Sequence, residues 1–365
     1  MRPDGPYHRP WLVPPNRVSR FYHGGLLLDR FRGSPAPADT NEPEDWVGSA
    51  TRAWTPPGTP LTDEGLAVVD VGGEPRRVAD LLAADPEAVA GRALVAAAGP
   101  TTGVLVKLLD AAIRLPVHAH PTRSFARRHL GSFFGKAEAW IVLRTRRVDG
   151  EPPPRVRIGF ARDIGRDELR TWIETEASGP LLDALGDQPT QPGDAWFVPP
   201  GVPHAIGAGV FILEVQEPSD FSIVAETAGF PIDRDDAHLR LGWDVMLDAI
   251  DRRALLSAVP GRVPDATAAN TLSPLLPRRA DPYFRADQLT IAGEAGAVLD
   301  DAFSVGVVTA GSGIVEVDRA TLQLRPGVTF ALPAAAAPDA TFRAVHGMTV
   351  LVCRGPRAAD LEVAA

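Results

Sequence analysis

Gln191–Ile206 reads QPGDAWFVPPGVPHAI, a strand, a tight turn and a second strand that opens on a histidine. Gly193-Asp194 makes a turn, and Ala195–Val198 is a short apolar strand. Pro199-Pro200-Gly201 then forces a corner, because proline fixes φ and glycine frees it again. His204 follows at the start of the returning strand, held rigidly enough to serve as a metal ligand. Gly193, Pro199, Gly201 and His204 stand in the spacing G-x5-P-x-G-x2-H.

The rest of the composition agrees with a chain of short strands and corners. It holds 34 glycines and 36 prolines, which favour strands and turns over long helices. At 365 residues it is long enough for two domains, and 45% hydrophobic with 23% charged residues is ordinary for a soluble globular protein. A net charge of −9 with no basic stripe argues against a nucleic-acid partner. No apolar run reaches the roughly 18 residues of a membrane span, and the opening MRPDGPYHRP has no signal core. A single cysteine, Cys353, excludes an internal disulfide and suits a reducing compartment, so the expected location is cytoplasmic. Of 37 basic residues only Lys107 and Lys136 are lysines, so any task that needs a tunable ammonium falls on those two.

Taken in order, residues 1 to about 60 are rich in Pro, Arg and aromatics, and Trp11, Phe31, Trp46 and Trp54 need somewhere to be buried. They read as irregular loops and short strands packed on a barrel. Arg77–Gly91 suggests one or two short helices. Gly103–Ala119 suggests two strands joined at Asp110-Ala111-Ala112. Pro121 ends a strand, Thr122 or Ser124 would cap a helical turn, and Ala139–Val148 is a strand. Asp167–Ala177 is a helix and Leu181–Leu185 a shorter one. Asp236–Ser257, with Leu239, Trp243, Met246, Leu247 and Ile250 on one face, reads as the longest helix, and Pro260–Pro274 behind it as a linker. From about residue 280, eight short strands are spaced like a small barrel whose only histidine is His346.

Six of the eight histidines precede residue 205. His118 and His120, two apart on a strand, point the same way. Glu138 begins the next strand and His204 closes the hairpin. Three imidazoles and a carboxylate on adjacent strands suit Zn²⁺, Mn²⁺, Fe²⁺ or Ni²⁺. Lys136 shares a strand face with Glu138 and so points into the same cavity. Beside a cation and partly desolvated, its pKa would fall.

The spacing around His204 is the second signature of the cupin barrels. Three stretches then resemble the hallmarks of the class I mannose-6-phosphate isomerases: KLLDAAIRLPVHAHP (Lys107–Pro121), FGKAEAWIVL (Phe134–Leu143) and PGDAWFVPPGVPHAI (Pro192–Ile206). FYHGGLLLDRF (Phe21–Phe31) is similar to that family's opening segment, and LEVQEPSDFS (Leu213–Ser222) to the strand after its metal histidine. The resemblance spans almost the whole chain. It implies a mainly β fold of two cupin-type (jelly-roll) barrels with a small helical insertion or connector. The expected division is a metal-binding catalytic domain with N-terminal loops and helical segments over 1–258, a linker over 259–279, and a metal-free β domain over 280–365.

In that family the metal is usually zinc, held by Gln, His, Glu and His. Matched by position these fall on His118, His120, Glu138 and His204, so an imidazole replaces the amide. The family also carries an arginine in the run after this strand, implicated in catalysis or in holding phosphate, and Val224 falls about where it would be. Arg234 or Arg240 would supply that charge from a shifted register. The implied activity is metal-dependent aldose–ketose isomerisation through a cis-enediol, on mannose-6-phosphate and fructose-6-phosphate or a related sugar. Lys136, Glu217 or a metal-linked water is the candidate base. The expected partner is a small sugar or sugar phosphate, with no nucleic acid and no membrane. A non-catalytic sugar-binding or regulatory cupin is the rival reading, and an iron-dependent cupin oxygenase shares the same ligand set.

Overall fold

The corner at Pro199–Gly201 moves the chain from one sheet to another. Gly201 has φ 84°, and a Cβ there would come within 3.2 Å of the Ala249 carbonyl oxygen. The computed structural model describes residues 5–255, 260–263, 269–296 and 298–361. On one side of the corner, Asp194–Val198 lies in a seven-stranded sheet of order Gly261–Arg262, Asp194–Val198, Glu138–Thr145, Val210–Gln216, Leu105–Ala111, Glu44–Val47 and Arg17–Val18. On the other, His204–Ile206 lies in a five-stranded sheet of order Leu185–Pro189, Arg155–Phe160, His204–Ile206, His118–Ala119 and Ile223–Val224. All pairings in both sheets are antiparallel, the arrangement of a jelly roll.

The period of two along a strand explains how one sheet serves two cores. Trp140, Val142, Leu109 and Ile212 point into the barrel and pack with Val156, Ile158 and Ile206 of the five-stranded sheet. Ala139, Ile141, Leu108 and Leu213 point the other way and pack against Phe284, Phe303, Val305 and Leu351 of the C-terminal unit. Both faces are buried, so these strands read as continuous apolar runs broken only by the few polar side chains that line the site.

A ten-stranded sheet builds the C-terminal unit around a core of its own, including Leu289, Val315, Phe330 and Phe342. Two of its strands are longer than their sequence suggests. Arg285–Gly296 and Thr341–Arg354 pair along their length and carry glycines at positive φ (Gly293, Gly347) where the register slips. The sheet also takes strands from the chain's start. Trp11–Val13, expected on the first barrel, pairs with Thr329–Leu332 and bridges to Val68–Asp70. Trp11 is fully buried there.

One expected helix is absent. Over 236–255 the chain makes only the turns Arg234–Ala237 and Trp243–Met246, while residues 256–259 lie outside the described residues. Leu239 and Arg240 adopt positive φ, and Gly242 sits at φ 80°, ψ 153°. The helix-like period of Leu239, Met246, Leu247 and Ile250 is still satisfied, because all four are buried against the outer face of the five-stranded sheet. Burial, not helix formation, set that pattern. The helices Val78–Ala84, Pro86–Ala90 and Arg166–Glu174 form near their expected places, and Arg92–Ala98 adds one the sequence did not suggest.

Candidate metal centre and its cleft

His118 and His204 are direct cross-strand partners in the five-stranded sheet, and Val224 flanks His118 on its other side. His120 lies just past its strand, tied by the Gly201 amide, which donates to its carbonyl at 2.7 Å. Glu138 comes from the facing sheet, where Val198 and Gln216 are its neighbours across the strands. The corner brings the two sheets together at this point.

Each imidazole Nδ1 lies 2.8 Å from a backbone carbonyl oxygen: Pro116 for His118, Phe221 for His120 and Val202 for His204. A carbonyl only accepts, so each Nδ1 holds the proton and each Nε2 presents a lone pair. The Nε2 atoms of His118 and His204 are 3.0 Å apart. The Glu138 oxygens lie 2.9 Å from His120 Nε2 and 3.1 Å from His204 Nε2. His120 Nε2 and Glu138 Oε2 are buried with no hydrogen-bond partner. Lone pairs this close repel unless a cation sits among them. Three neutral nitrogens and a carboxylate oxygen, the nitrogens oriented by backbone carbonyls, fit a divalent transition metal.

The electrostatics agree. Burial, with Lys136 nearby, pulls His120 down to about 3. Burial and the other two imidazoles hold His118 well below its ordinary value. Both rings are therefore neutral at neutral pH, the form that ligates. Burial alone would raise Glu138, but Lys136, its Nζ 3.2 Å from Oε2, outweighs it and keeps the carboxylate ionised.

The centre opens into a cleft of about 220 Å³ whose walls include His118, Lys136, Lys107 and Glu214. Glu214 Oε2 is buried, has no hydrogen-bond partner and lies 3.4 Å from Lys107 Nζ. Burial raises its pKa to about 7, with Lys107 opposing and Glu138 reinforcing the shift. Lys107 also faces Glu44 at 3.7 Å and Asp220 at 3.8 Å, over the ring of Trp46. Arg20 reaches Glu44 at 3.0 Å and Asp220 at 3.3 Å. Tyr22 and Trp46 each donate to Glu44 at 2.7 Å. The cations are paired within the cleft, and Glu214 Oε2 beside Lys107 accepts no hydrogen bond. Phe21, Trp54, Leu115, Ile206 and Val224 give the remaining wall its apolar character.

No protein-family model matches the chain. A mannose-6-phosphate isomerase of Streptococcus mutans is 36% identical over 117 residues, 32% of this chain and 34% of the relative. A mannose-6-phosphate isomerase of Bacillus subtilis is 34% identical over a segment of the same length, so the chain spans about a third of the length of these two curated relatives. The crystal structure of the mannose 6-phosphate isomerase from Bacillus subtilis superposes with TM-score 0.70 at 22% identity, covering 95% of this chain and 99% of that one. The enzyme from Salmonella typhimurium, solved with its substrate F6P and zinc, gives TM-score 0.65 at 16% identity over 96% and 100%. The chain is thus similar to mannose-6-phosphate isomerases in sequence over about a third of its length and in fold over nearly all of it. The structural likeness fixes the fold over nearly the full length, a cupin-type pair of β units as the sequence suggested.

Within that fold, His118, His120, Glu138, His204 and Lys136 come together as their spacing suggested. Three other expected residues do not join them. Glu217 is fully buried behind the Glu138 strand, where it holds Arg123 at 2.5 Å and accepts from the Ala137 amide at 2.9 Å. It follows Gln216, the last residue of the strand, and the alternation of side chains turns it away from the cleft. Arg234 is exposed and bonds Glu176, and Arg240 is exposed and bonds Asp236, because the turns at 234–246 point both guanidinium groups outward. Neither replaces the charge missing at Val224, which does line the cleft. The residues that sequence reasoning passed over are Glu214, Arg20, Glu44 and Asp220. Glu214 had a usable signal: a lone carboxylate inside the apolar strand VFILEVQ, with the same parity as Ile212.

Proposed function

We propose that the protein is a metal-dependent aldose–ketose isomerase, interconverting mannose-6-phosphate and fructose-6-phosphate or a closely related sugar through a cis-enediol. The observation that carries this is the convergence on one cleft of three imidazole lone pairs, the Glu138 carboxylate, the Lys136 ammonium and the Glu214 carboxylate. His118, His120, Glu138 and His204 are the proposed ligands. Zinc is the proposed ion, supported by the zinc in the Salmonella typhimurium relative. When bound, it would supply a Lewis acid that stabilises the negative charge developing on the sugar's oxygens.

The chain's own groups do the remaining work. Glu214 is positioned to carry a proton between C1 and C2, since it lines the cleft, its Oε2 accepts no hydrogen bond and its proton affinity is poised near neutrality. Lys107 keeps that carboxylate oriented. Lys136, beside Glu138, places a positive charge next to the developing oxyanion. The apolar wall excludes water from the reacting carbons. A cytoplasmic setting belongs to the same proposal, supported by one buried cysteine and by the lack of any described helix long and apolar enough to cross a membrane.

Deuterium exchange at C2 in D₂O, followed by proton NMR, tests this reading. Mannose-6-phosphate and fructose-6-phosphate are expected to exchange and interconvert, and a chelator is expected to stop both. Mannose and fructose run beside them to report what Val224 does to phosphate preference. No exchange on any of the four by zinc-loaded protein would overturn the proposal.

A further inference from the structure

Arg123 is charged and almost wholly buried, and it lies outside the cleft. It begins the short helix Arg123–His129, capped by Thr122, three residues after His120. Its Nε donates to Glu217 at 2.5 Å, and its Nη2 to the Pro282 carbonyl at 2.8 Å. Nη1 faces the Leu361 carbonyl at 3.4 Å, and the guanidinium lies 5.0 Å from the ring centroid of Tyr283. Pro282, Tyr283 and Leu361 all come from the two ends of the C-terminal unit. The other Glu217 oxygen accepts from the Ala137 amide at 2.9 Å, and the Glu217 amide donates back to the Ala137 carbonyl at 3.1 Å. Ala137 stands between Lys136 and Glu138.

A continuous path thus runs from the C-terminal unit, through one guanidinium and one carboxylate, to the backbone that aims two groups of the centre. Burying an ion pair is a poor way to gain stability, since apolar residues of the same volume do as well or better. A planar guanidinium whose three nitrogens each meet a different fixed oxygen does offer fixed geometry. We propose that Arg123 and Glu217 are positioning residues, a bridge by which the C-terminal unit fixes the direction of Glu138 and Lys136 at the metal centre. The C-terminal unit would then contribute to the first barrel's chemistry without reaching the cleft. This rests on the metal-centre reading above, and the test separates the two.

The test measures zinc affinity by chelator competition, the visible absorption of the cobalt-substituted protein, kcat and KM, and thermal midpoint. It is run on the full chain and on Arg123→Lys and Glu217→Gln. Because either change leaves a buried partner group poorly matched, the paired variant Arg123→Met with Glu217→Gln is made as well. It removes both charges together and keeps an acceptor for the Ala137 amide. Leu351→Ala, which disturbs the packing of the C-terminal unit on the seven-stranded sheet without touching the bridge, is the control. Loss of the outer partners of a metal site typically weakens binding about 10- to 100-fold. Arg123→Lys is expected to show a loss in that range, with an altered cobalt spectrum and a lower kcat at little-changed KM. The paired variant is expected to keep its fold and still show the altered spectrum. Leu351→Ala is expected to lower the thermal midpoint alone. If Arg123→Lys and the paired variant bind zinc as tightly as the parent and give its cobalt spectrum, the bridge is only structural and the proposal falls. A parent chain that binds no zinc would instead refute the metal centre itself. A parent that binds zinc but isomerises nothing would refute the isomerase reading and leave the bridge standing.

Discussion

Glu214 combines burial, an oxygen that accepts no hydrogen bond and a lysine at 3.4 Å, so its proton is finely balanced. Glu214→Gln keeps the shape and removes the base. The expected loss in kcat is on the order of 10²- to 10⁴-fold, with zinc content unchanged. A variant that retains parental kcat would assign the proton transfer elsewhere. The same residue gives a pH signature in metal-free protein. Its folded pKa is raised to about 7 from an ordinary value of 4.5. Below 4.5 both folded and unfolded chains hold the proton, and the parent loses nothing. As pH climbs toward 7 the unfolded carboxyl ionises first, so the folded state is progressively penalised. Glutamine feels none of this. The stability of Glu214→Gln relative to the parent should therefore rise between pH 4.5 and 8 by about 2–3 kcal/mol, read from urea midpoints at both ends. A gap that stays constant would contradict the raised pKa. At this scale the sequence singled out the four proposed ligands, which the fold brings together, and passed over Glu214, the proposed base. Metal ligands advertise themselves by residue type and spacing. A carboxylate such as Glu217 or Glu214 does not say which face of its strand it occupies until the register is known.

The elements around the centre depend on close backbone approach. Gly135 precedes Lys136, and a Cβ there would lie 2.4 Å from the Pro121 carbonyl oxygen and 2.7 Å from the Arg123 amide nitrogen. The Lys136 amide donates to that same Pro121 carbonyl at 2.9 Å. Gly135→Ala must therefore push the Glu138 strand away from the segment that carries His120. It is expected to cost about 1–3 kcal/mol, as overpacked sites do, with zinc binding weakened in parallel. An unchanged denaturation midpoint would show that the strand has slack there. The Pro199–Gly201 corner and the Thr122 cap were legible because Pro, Gly and Thr act locally. The supposed helix over 236–257 was misread because apolar residues recur at helical spacing while Gly242 and the left-handed Leu239 and Arg240 break the backbone. Periodicity records what is buried, and here the chain buries those side chains without the helix.

In the whole molecule, two β units share the seven-stranded sheet as a wall, with the centre on one face and the C-terminal unit on the other. The fold class and the C-terminal unit could be read from strand spacing and the family resemblance. The docking of Trp11–Val13 into the far sheet could not, since a three-residue strand carries no mark of its distant partner. This architecture gives a stoichiometry. The described residues place one cluster of His118, His120 and His204, and the sole histidine after residue 280, His346, lies on a strand far along the C-terminal unit. The most direct test is metal content by mass spectrometry on purified chain, alongside C2 exchange on mannose-6-phosphate before and after chelation. One zinc per chain is expected, lost together with exchange in His204→Ala and restored to the parent by added zinc. A chain that exchanges C2 at full rate without metal, or that keeps its zinc in His204→Ala, would contradict the centre described above.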